Sequence, residues 1–179
     1  MTLDAELIAR ARQFATDHHR GQTRKDADNT PYINHPVALA NLLTDFAGIT
    51  DSNVIAAALL HDTIEDTTAT VEDIEEEFGE KIRDIVMEVT DDKSLPSLVR
   101  KRLQVEHASQ ISREAKLVKL ADKICNLQDI LVRPPAKWSL QRKQEYFDWA
   151  KAVIDQLRGT DEKLEKLFDE VYEKKYTMN

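Results

Sequence analysis

The stretch AAALLHDTIEDT, residues 56–67, places four ionisable side chains directly after an apolar run. The first two are His61 and Asp62, and the second two are Glu65 and Asp66. Residues four apart lie on one face of a helix, so a continuous helix would align each member of the first pair with one of the second. Imidazole and carboxylate groups bind divalent cations and can take a proton from water. The stretch therefore predicts a metal centre with hydrolytic chemistry.

Two residues elsewhere complete a candidate ligand set. His35 precedes Pro36, which restrains its backbone. Asp122 lies in KLVKLADKICNLQDI, where apolar residues recur at helical spacing, and a carboxylate in such a core stripe is costly unless it is paired or metal-bound. Two imidazoles and two carboxylates without a thiolate suit Mn²⁺, Fe²⁺ or Zn²⁺ better than Ca²⁺ or a structural zinc. The alternative for the His61–Asp62 pair alone is a capping or salt-bridged pair.

The bulk composition fits one soluble, globular domain, which we predict to span residues 1–179. Hydrophobic residues make up 41% of the chain and charged residues 32%. A net charge of -8 argues against a broad surface for nucleic acid or anionic membranes, although it permits a local basic pocket. The single cysteine, Cys125, cannot form an internal disulfide, and no run approaches the ~20 apolar residues of a membrane span. These features favour a cytoplasmic protein.

Hydrophobic spacing predicts an all-α fold of about eight or nine helices, because no run alternates with period two for long enough to form a strand. The predicted helices cover approximately residues 4–19, 37–46, 53–63, 71–78, 80–90, 98–109, 113–132, 140–157 and 161–172. Ser52, Thr70, Ser139 and Thr160 are the predicted N-terminal caps of four of them. The polar segment 21–36, which contains two prolines, is predicted to be an ordered loop.

The four candidate ligands resemble the H…HD…D signature of the HD-domain metal-dependent phosphohydrolases. The stretches GQTRK, PYINHP, ALLHDTIEDT and KLADKICNL resemble, more narrowly, the hydrolase domain of the RelA/SpoT alarmone enzymes. The later RPP…WS…EYFDWA…LRGT segment is most similar to the stand-alone small alarmone hydrolases. This resemblance implies a single all-helical HD domain that uses Mn²⁺ to remove the 3′-pyrophosphate of guanosine 3′,5′-bis(diphosphate) (ppGpp) or its 5′-triphosphate form (pppGpp). The products would be GDP or GTP and pyrophosphate.

The resemblance also implies a role for each matching residue. The positions that match the family's metal ligands are His35, His61, Asp62 and Asp122. Those that match its water-activating acidic pair are Glu65 and Asp66. Those that match its nucleotide contacts are Arg24, Lys25 and Asn126, together with Arg142 and Tyr146 from the stand-alone members. Where many bifunctional members carry a threonine, this chain has Asp129.

The residue types agree with these roles, although alternatives stay open. Arg24 and Lys25 are adjacent cations that could form a positive lip for a phosphorylated ligand, or a solvated loop pair. Tyr146 lies in a helix with several apolar neighbours, so it could belong to the core instead. Two other functions remain: hydrolysis of another phosphorylated nucleotide, such as the 2′-phosphate of NADPH or a deoxynucleoside monophosphate, and nucleotide sensing without catalysis. The acidic pair argues against mere binding, which would have no need of it.

Overall fold

The computed structural model describes residues 2–178, and over that range it confirms the predicted all-α fold. The helices are α1 (Ala5–His18), α2 (Asn34–Asn41), α3 (Ser52–Leu60), α4 (Thr63–Asp66), α5 (Val71–Phe78), α6 (Glu80–Val89), α7 (Ser97–His107), α8 (Arg113–Val132), α9 (Leu140–Asp155) and α10 (Glu162–Glu173). Within residues 2–178, α4 is a single turn, and the other nine helices correspond to the nine predicted ones. None of the helices described combines the length and the apolar character needed to cross a bilayer.

Helix α3 occupies the centre of the fold. Every residue from Val54 to Leu60 is buried, as expected for a helix that is apolar on all sides. It packs against α1, α2, α6 and α8, which surround it. Its N-terminal cap is Asp51, whose carboxylate accepts the Asn53 amide at 2.9 Å, and not the predicted Ser52. The Ser52 hydroxyl instead accepts the amide of Asp4 at 2.8 Å, which ties the start of α1 to α3.

The end of α3 also differs from the sequence prediction, which continued this helix to about Thr63. The helix stops at Leu60 because two side chains bond to its last carbonyls. The His61 Nδ1 atom lies 2.8 Å from the Ala58 carbonyl oxygen, and the Thr63 hydroxyl donates to the Leu60 carbonyl at 2.7 Å. The two pairs of ionisable residues therefore do not lie on one continuous helix, although the Asp66 amide still donates to the Asp62 carbonyl at 2.9 Å, one helical turn away. The break lets adjacent residues turn their side chains to the same side.

At the other helices, some ends and caps agree with the sequence prediction and others do not. The predicted helix 37–46 begins earlier, as α2, and ends in a π-helical turn, Leu42–Phe46. Helix α10 is capped by Asp161, whose carboxylate accepts the Leu164 amide, and not by the predicted Thr160. The predicted caps of α5 and α9 are correct: Thr70 forms a reciprocal capping box, and Ser139 accepts the amide at the third position of α9.

Segment 21–33 is an ordered loop, as predicted. The Arg24 amide donates to the Thr30 carbonyl at 2.7 Å, and the Tyr32 amide donates to the Gln22 carbonyl at 2.9 Å. A bond of 2.9 Å from the Ala136 amide to the Lys25 carbonyl joins this loop to the segment between α8 and α9. These bonds fix the loop beside the end of α8, and residues 23–26 of the loop line a cavity there.

Candidate metal centre and active-site cavity

Three elements bring the four candidate metal ligands together. His35 lies in the first turn of α2, His61 and Asp62 lie in the break between α3 and α4, and Asp122 lies in the middle of α8. The Nε2 atom of His35 is 3.0 Å from Asp122 Oδ1. The Nε2 atom of His61 is 2.8 Å from Asp62 Oδ2 and 3.7 Å from Asp122 Oδ1. The candidate ligand atoms of His35, His61 and Asp62 thus lie within 4.8 Å of one another, and Asp122 contacts both imidazoles.

The hydrogen bonding of His61 shows that this cluster fits a divalent cation. A carbonyl oxygen can only accept, so the bond to Ala58 places the proton of a neutral imidazole on Nδ1 and the lone pair on Nε2. Nε2 is buried and has no hydrogen-bond partner among residues 2–178, although it faces the carboxylates of Asp62 and Asp122. A lone pair directed at carboxylates is repulsive unless a proton or a cation lies between them.

In the metal-free protein a proton takes that position. Burial by itself lowers the pKa of His61, but the charge of Asp62 and its contact with the ring raise it to about 9. A divalent cation would displace this proton, since a metal-binding imidazole must be neutral. Burial lowers the pKa of the His35 ring despite the nearby Asp122, and the hydrogen that its Nε2 donates to Asp122 at 3.0 Å would move to Nδ1 when Nε2 binds a metal.

Both carboxylates are held in the ionised form that a metal ligand requires. Burial alone raises the pKa of Asp122, yet the Lys123 ammonium at 3.1 Å and the His35 ring hold it well below its usual range. Asn126 Nδ2 donates to the same carboxylate at 2.7 Å. The pKa of Asp62 is also lowered, because the charge of His61 outweighs burial.

The acidic pair at α4 lies beside this cluster, and its two members have different surroundings. Carboxylate oxygens of Asp62, Glu65 and Asp66 all lie within 4.8 Å of one another. Asp66 accepts a hydrogen bond from the Lys93 ammonium. Glu65 accepts the Asp91 amide at 2.7 Å, and its side chain is only 15% exposed. Burial, partly opposed by that hydrogen bond, raises the pKa of Glu65 to about 7.

The cluster lies between two connected cavities. The inner cavity, of about 240 Å³, is lined by the candidate metal ligands and the acidic pair on one side. Its other charged side chains are the cations Arg24, Arg100, Lys101, Lys119 and Lys123, together with the acidic Asp91. The outer cavity, of about 610 Å³, is bounded by loop 23–26, Asp129, Arg133 and Trp138. Both are lined by Arg24, Asn126 and Tyr146, so the inner cavity opens into the outer one along these residues.

The structure places the predicted nucleotide contacts at different depths. Arg24 donates to Asn126 Oδ1 at 2.9 Å and to Asp129 Oδ2 at 3.0 Å, so Asn126 joins this arginine to Asp122. Lys25 is exposed and lines the outer cavity. Arg142 is also exposed, with its guanidinium 4.6 Å from the centre of the Trp138 ring, and it lines a side cavity shared with Lys25 and Tyr146.

Comparison with known proteins agrees with the fold. A family model for the HD domain matches residues 11–148. The chain belongs to the HD-domain family. The protein from Xenopus tropicalis called guanosine-3′,5′-bis(diphosphate) 3′-pyrophosphohydrolase MESH1 is 55% identical over 172 residues, which are 96% of this chain and 96% of that protein. The Homo sapiens protein of the same name is 51% identical over 175 residues, 98% of each chain.

A solved structure of a related protein is also similar to this chain. A structure described as "A metazoan ortholog of SpoT hydrolyzes ppGpp and plays a role in starvation responses" superposes with a TM-score of 0.94 at 46% identity. The match covers 99% of this chain and 100% of that one. The resemblance to the stand-alone small alarmone hydrolases is therefore confirmed.

Sequence reasoning missed two lysines that line the cavity of this HD domain. Lys119 and Lys123 are four residues apart on α8, and they are 7% and 3% exposed. The Lys123 ammonium also lies 4.3 Å from the centre of the Trp149 ring. The argument that identified Asp122, a charge within a core stripe, applies equally to both lysines. It could have found them from the sequence.

Tyr32, in the PYINHP stretch, is a further residue that sequence reasoning missed. Its hydroxyl donates to Asp62 Oδ2, and its ring contacts those of His19 and His35. Burial, together with the Asp62 charge, raises the pKa of this phenol, so it stays a donor at all relevant pH values. A hydrogen bond to a ligating carboxylate fixes the ligand's orientation.

Replacing Tyr32 with phenylalanine is therefore expected to weaken divalent-metal affinity about 10-fold, because Asp62 loses this donor while the ring packing is kept. Titration of the apo-protein with Mn²⁺, followed by calorimetry, measures the change. Tyr176→Phe, at an exposed tyrosine near the C-terminus, is the matched control. Equal Mn²⁺ affinity in Tyr32→Phe and wild type would show that Tyr32 does not position Asp62.

Proposed function

We propose that this protein hydrolyses ppGpp and pppGpp at the 3′-pyrophosphate, with release of GDP or GTP and pyrophosphate. The observation that carries this proposal is that His35, His61 and Asp62 lie close enough to share a cation, with Asp122 in contact with both imidazoles, in a cavity that cationic side chains also line. A metal centre next to cationic side chains suits a multiply phosphorylated substrate. The MESH1 relatives, whose name states this activity, support the choice of substrate because they match nearly the whole chain.

The same proposal assigns Mn²⁺ to the metal centre, with His35, His61, Asp62 and Asp122 as ligands. Mixed nitrogen and oxygen ligands suit Mn²⁺, and Nε2 of His61 faces carboxylates across a position that a cation can take from a proton. When bound, the ion would lower the pKa of water and offset the negative charge of the attacked phosphate.

In this proposal Glu65 takes the proton from the attacking water. Its raised pKa, about 7, matches the working range of a general base. Asp66 is the weaker candidate, because it already accepts from Lys93, and we assign it to hold the water in line. The water oxygen bonds to the phosphorus attached to the ribose. The bond from that phosphorus to the 3′-oxygen breaks, and the 3′-oxygen gains a proton, so one water is consumed per pyrophosphate released.

The nucleotide occupies the outer cavity in this proposal. Arg24 is held rigidly by Asn126 and Asp129, which orients its guanidinium toward phosphate oxygens. Lys25 and Arg142 add positive charge at the rim, and Tyr146 lies where the inner, outer and side cavities meet. Asn126 contacts both Arg24 and Asp122, so it couples nucleotide binding to the metal centre.

A substrate panel tests this proposal. Purified apo-protein, with and without Mn²⁺, is incubated with ppGpp, NADPH and deoxynucleoside monophosphates, and released pyrophosphate and orthophosphate are measured. We expect pyrophosphate from ppGpp, dependent on Mn²⁺ and abolished by Asp62→Ala. Orthophosphate from NADPH without ppGpp turnover would instead support a phosphatase for another nucleotide. A folded protein that binds ppGpp but turns over none of these would be a sensing module.

A further inference from the structure

Helix α8 carries a buried ammonium that the reaction described above does not use. Lys119 is 7% exposed, and it forms neither a hydrogen bond nor an ion pair with any of residues 2–178. Its side chain lines the inner cavity and also a rear cavity of about 270 Å³ that contains Glu88, Leu103 and His107. A buried cation without a partner is unfavourable for stability, so its presence calls for a bound anion or another functional reason.

The position of Lys119 puts this ammonium next to the metal centre. It lies three residues before Asp122 and four before Lys123, so all three share one face of α8. Burial, and then the nearby Lys123 charge, lower the pKa of Lys119 to about 8, against the opposing effect of Asp122. The side chain therefore remains mostly protonated at neutral pH.

A second cation faces the same end of the cavity. Arg100, in α7, lines the inner cavity, and its Nε donates to the Leu95 carbonyl at 3.2 Å. That bond fixes the guanidinium and uses only one of its five N–H donors. Lys123 is less available, since its ammonium contacts Asp122 at 3.1 Å and lies over the Trp149 ring. Lys101 lies over the Tyr146 and Trp149 rings, which leaves Lys119 and Arg100 to receive an anion beyond the metal centre.

We propose that Lys119, with Arg100, binds the distal phosphate of the substrate's 3′-diphosphate and selects a diphosphate over a single phosphate at this position. This inference rests on the proposed function. The phosphate bonded to the ribose must lie at the metal centre, and the nucleoside extends toward Arg24 and Asn126 in the outer cavity. The distal phosphate then points the other way, toward the part of the inner cavity that Lys119 and Arg100 line.

The test compares Lys119→Met with Lys116→Met. Lys116 lies one turn earlier on α8, is partly exposed and lines neither cavity, so it controls for loss of a lysine from this helix. In Lys119→Met we expect kcat/KM for ppGpp to fall about 10- to 100-fold, the size of one charge-assisted hydrogen bond. The inhibition constant of inorganic pyrophosphate should rise by a similar factor, while that of orthophosphate should stay within about twofold.

A melting experiment without substrate separates anion binding from a structural role. Methionine has a similar shape and no charge, so Lys119→Met should keep or raise the Tm of wild type if the ammonium serves only a ligand. A lower Tm, or equal weakening of pyrophosphate and orthophosphate inhibition, would overturn the inference. So would a loss of kcat/KM no larger than that of Lys116→Met. If wild type does not hydrolyse ppGpp, the proposed function fails, and the dissociation constants of pyrophosphate and orthophosphate, measured by calorimetry, still decide the role of Lys119.

Discussion

Replacing Asp62 with asparagine is expected to lower kcat/KM for ppGpp by roughly 10³-fold or more and to remove most of the stabilisation that Mn²⁺ gives the protein. The amide keeps the shape of the carboxylate but removes one anionic ligand from a cluster that also contains His61 and Asp122. Without that charge the site attracts a divalent cation weakly, so both the activation of water and the charge compensation of the attacked phosphate are lost.

Thermal melts with and without metal measure the second effect directly. A cation that binds only the folded state stabilises it by about 2.7 kcal/mol at 100 times its dissociation constant. For a chain of 179 residues this corresponds to a Tm increase of roughly 5 to 10 °C. We expect this increase in wild type on addition of Mn²⁺ to EDTA-treated protein, and little increase in Asp62→Asn.

Asp84→Asn is the matched control for this experiment. Asp84 is an exposed aspartate whose carboxylate accepts hydrogen bonds from Arg83 and not from residues of the cluster. An exposed ion pair of this kind contributes little to stability. The Asp84→Asn variant should retain both the rate and the Mn²⁺-dependent Tm increase. If Asp62→Asn also retained both, the assignment of Asp62 as a metal ligand would be wrong.

The bounds of the long helices could be predicted from the sequence, because capping and helix-breaking residues next to each end determine them. The bounds of α8 match the predicted 113–132, since Ser112 can cap its start and two prolines follow Arg133. The end of α3 was not predictable in this way. The end of this helix depends on whether the side chains of His61 and Thr63 form hydrogen bonds to its last carbonyl oxygens. The spacing of apolar residues in the sequence does not show whether they do.

In the candidate site, too, some features could be predicted from the sequence and others could not. A pattern of metal-binding residue types pointed to four residues that the structure brings together. The different surroundings of Glu65 and Asp66 could not be predicted, because the groups that distinguish them, the Asp91 amide and the Lys93 ammonium, lie 26 and 27 positions away. Only the folded chain shows which carboxylate is buried and which is paired.

Replacing Glu65 with glutamine is expected to reduce kcat for ppGpp by about 10² to 10⁴, because glutamine cannot accept the proton of the attacking water. Asp66→Asn should have a smaller effect, since Asp66 is paired with Lys93 and is assigned only to hold the water in line. Single-turnover rates with Mn²⁺ at saturating ppGpp measure both variants. A larger loss in Asp66→Asn than in Glu65→Gln would reverse the two roles.

The same Glu65→Gln change should raise the free energy of unfolding of the metal-free protein at high pH. Such a gain would show that the Glu65 carboxylate serves the reaction and not the stability of the fold. The pKa of Glu65 is raised from 4.5 to about 7 in the folded state, so the folded state binds its proton more tightly than the unfolded state does. Stability contributed by this group therefore falls as pH rises from about 4.5 to 7 and stays low above that. The penalty amounts to about 3 kcal/mol at pH 8.

Denaturant unfolding in EDTA at pH 4.5 and pH 8 tests this linkage. Glutamine imitates the neutral carboxyl and can still accept the Asp91 amide, so Glu65→Gln should match wild type at pH 4.5 and exceed it at pH 8. The control Glu76→Gln, at an exposed position of α5, should show no such pH dependence. Saturating Mn²⁺ should shrink the difference at pH 8, because a nearby cation favours the ionised carboxylate. An equal loss of stability at both pH values would mean that Glu65 serves the fold and is not held there against stability for the reaction.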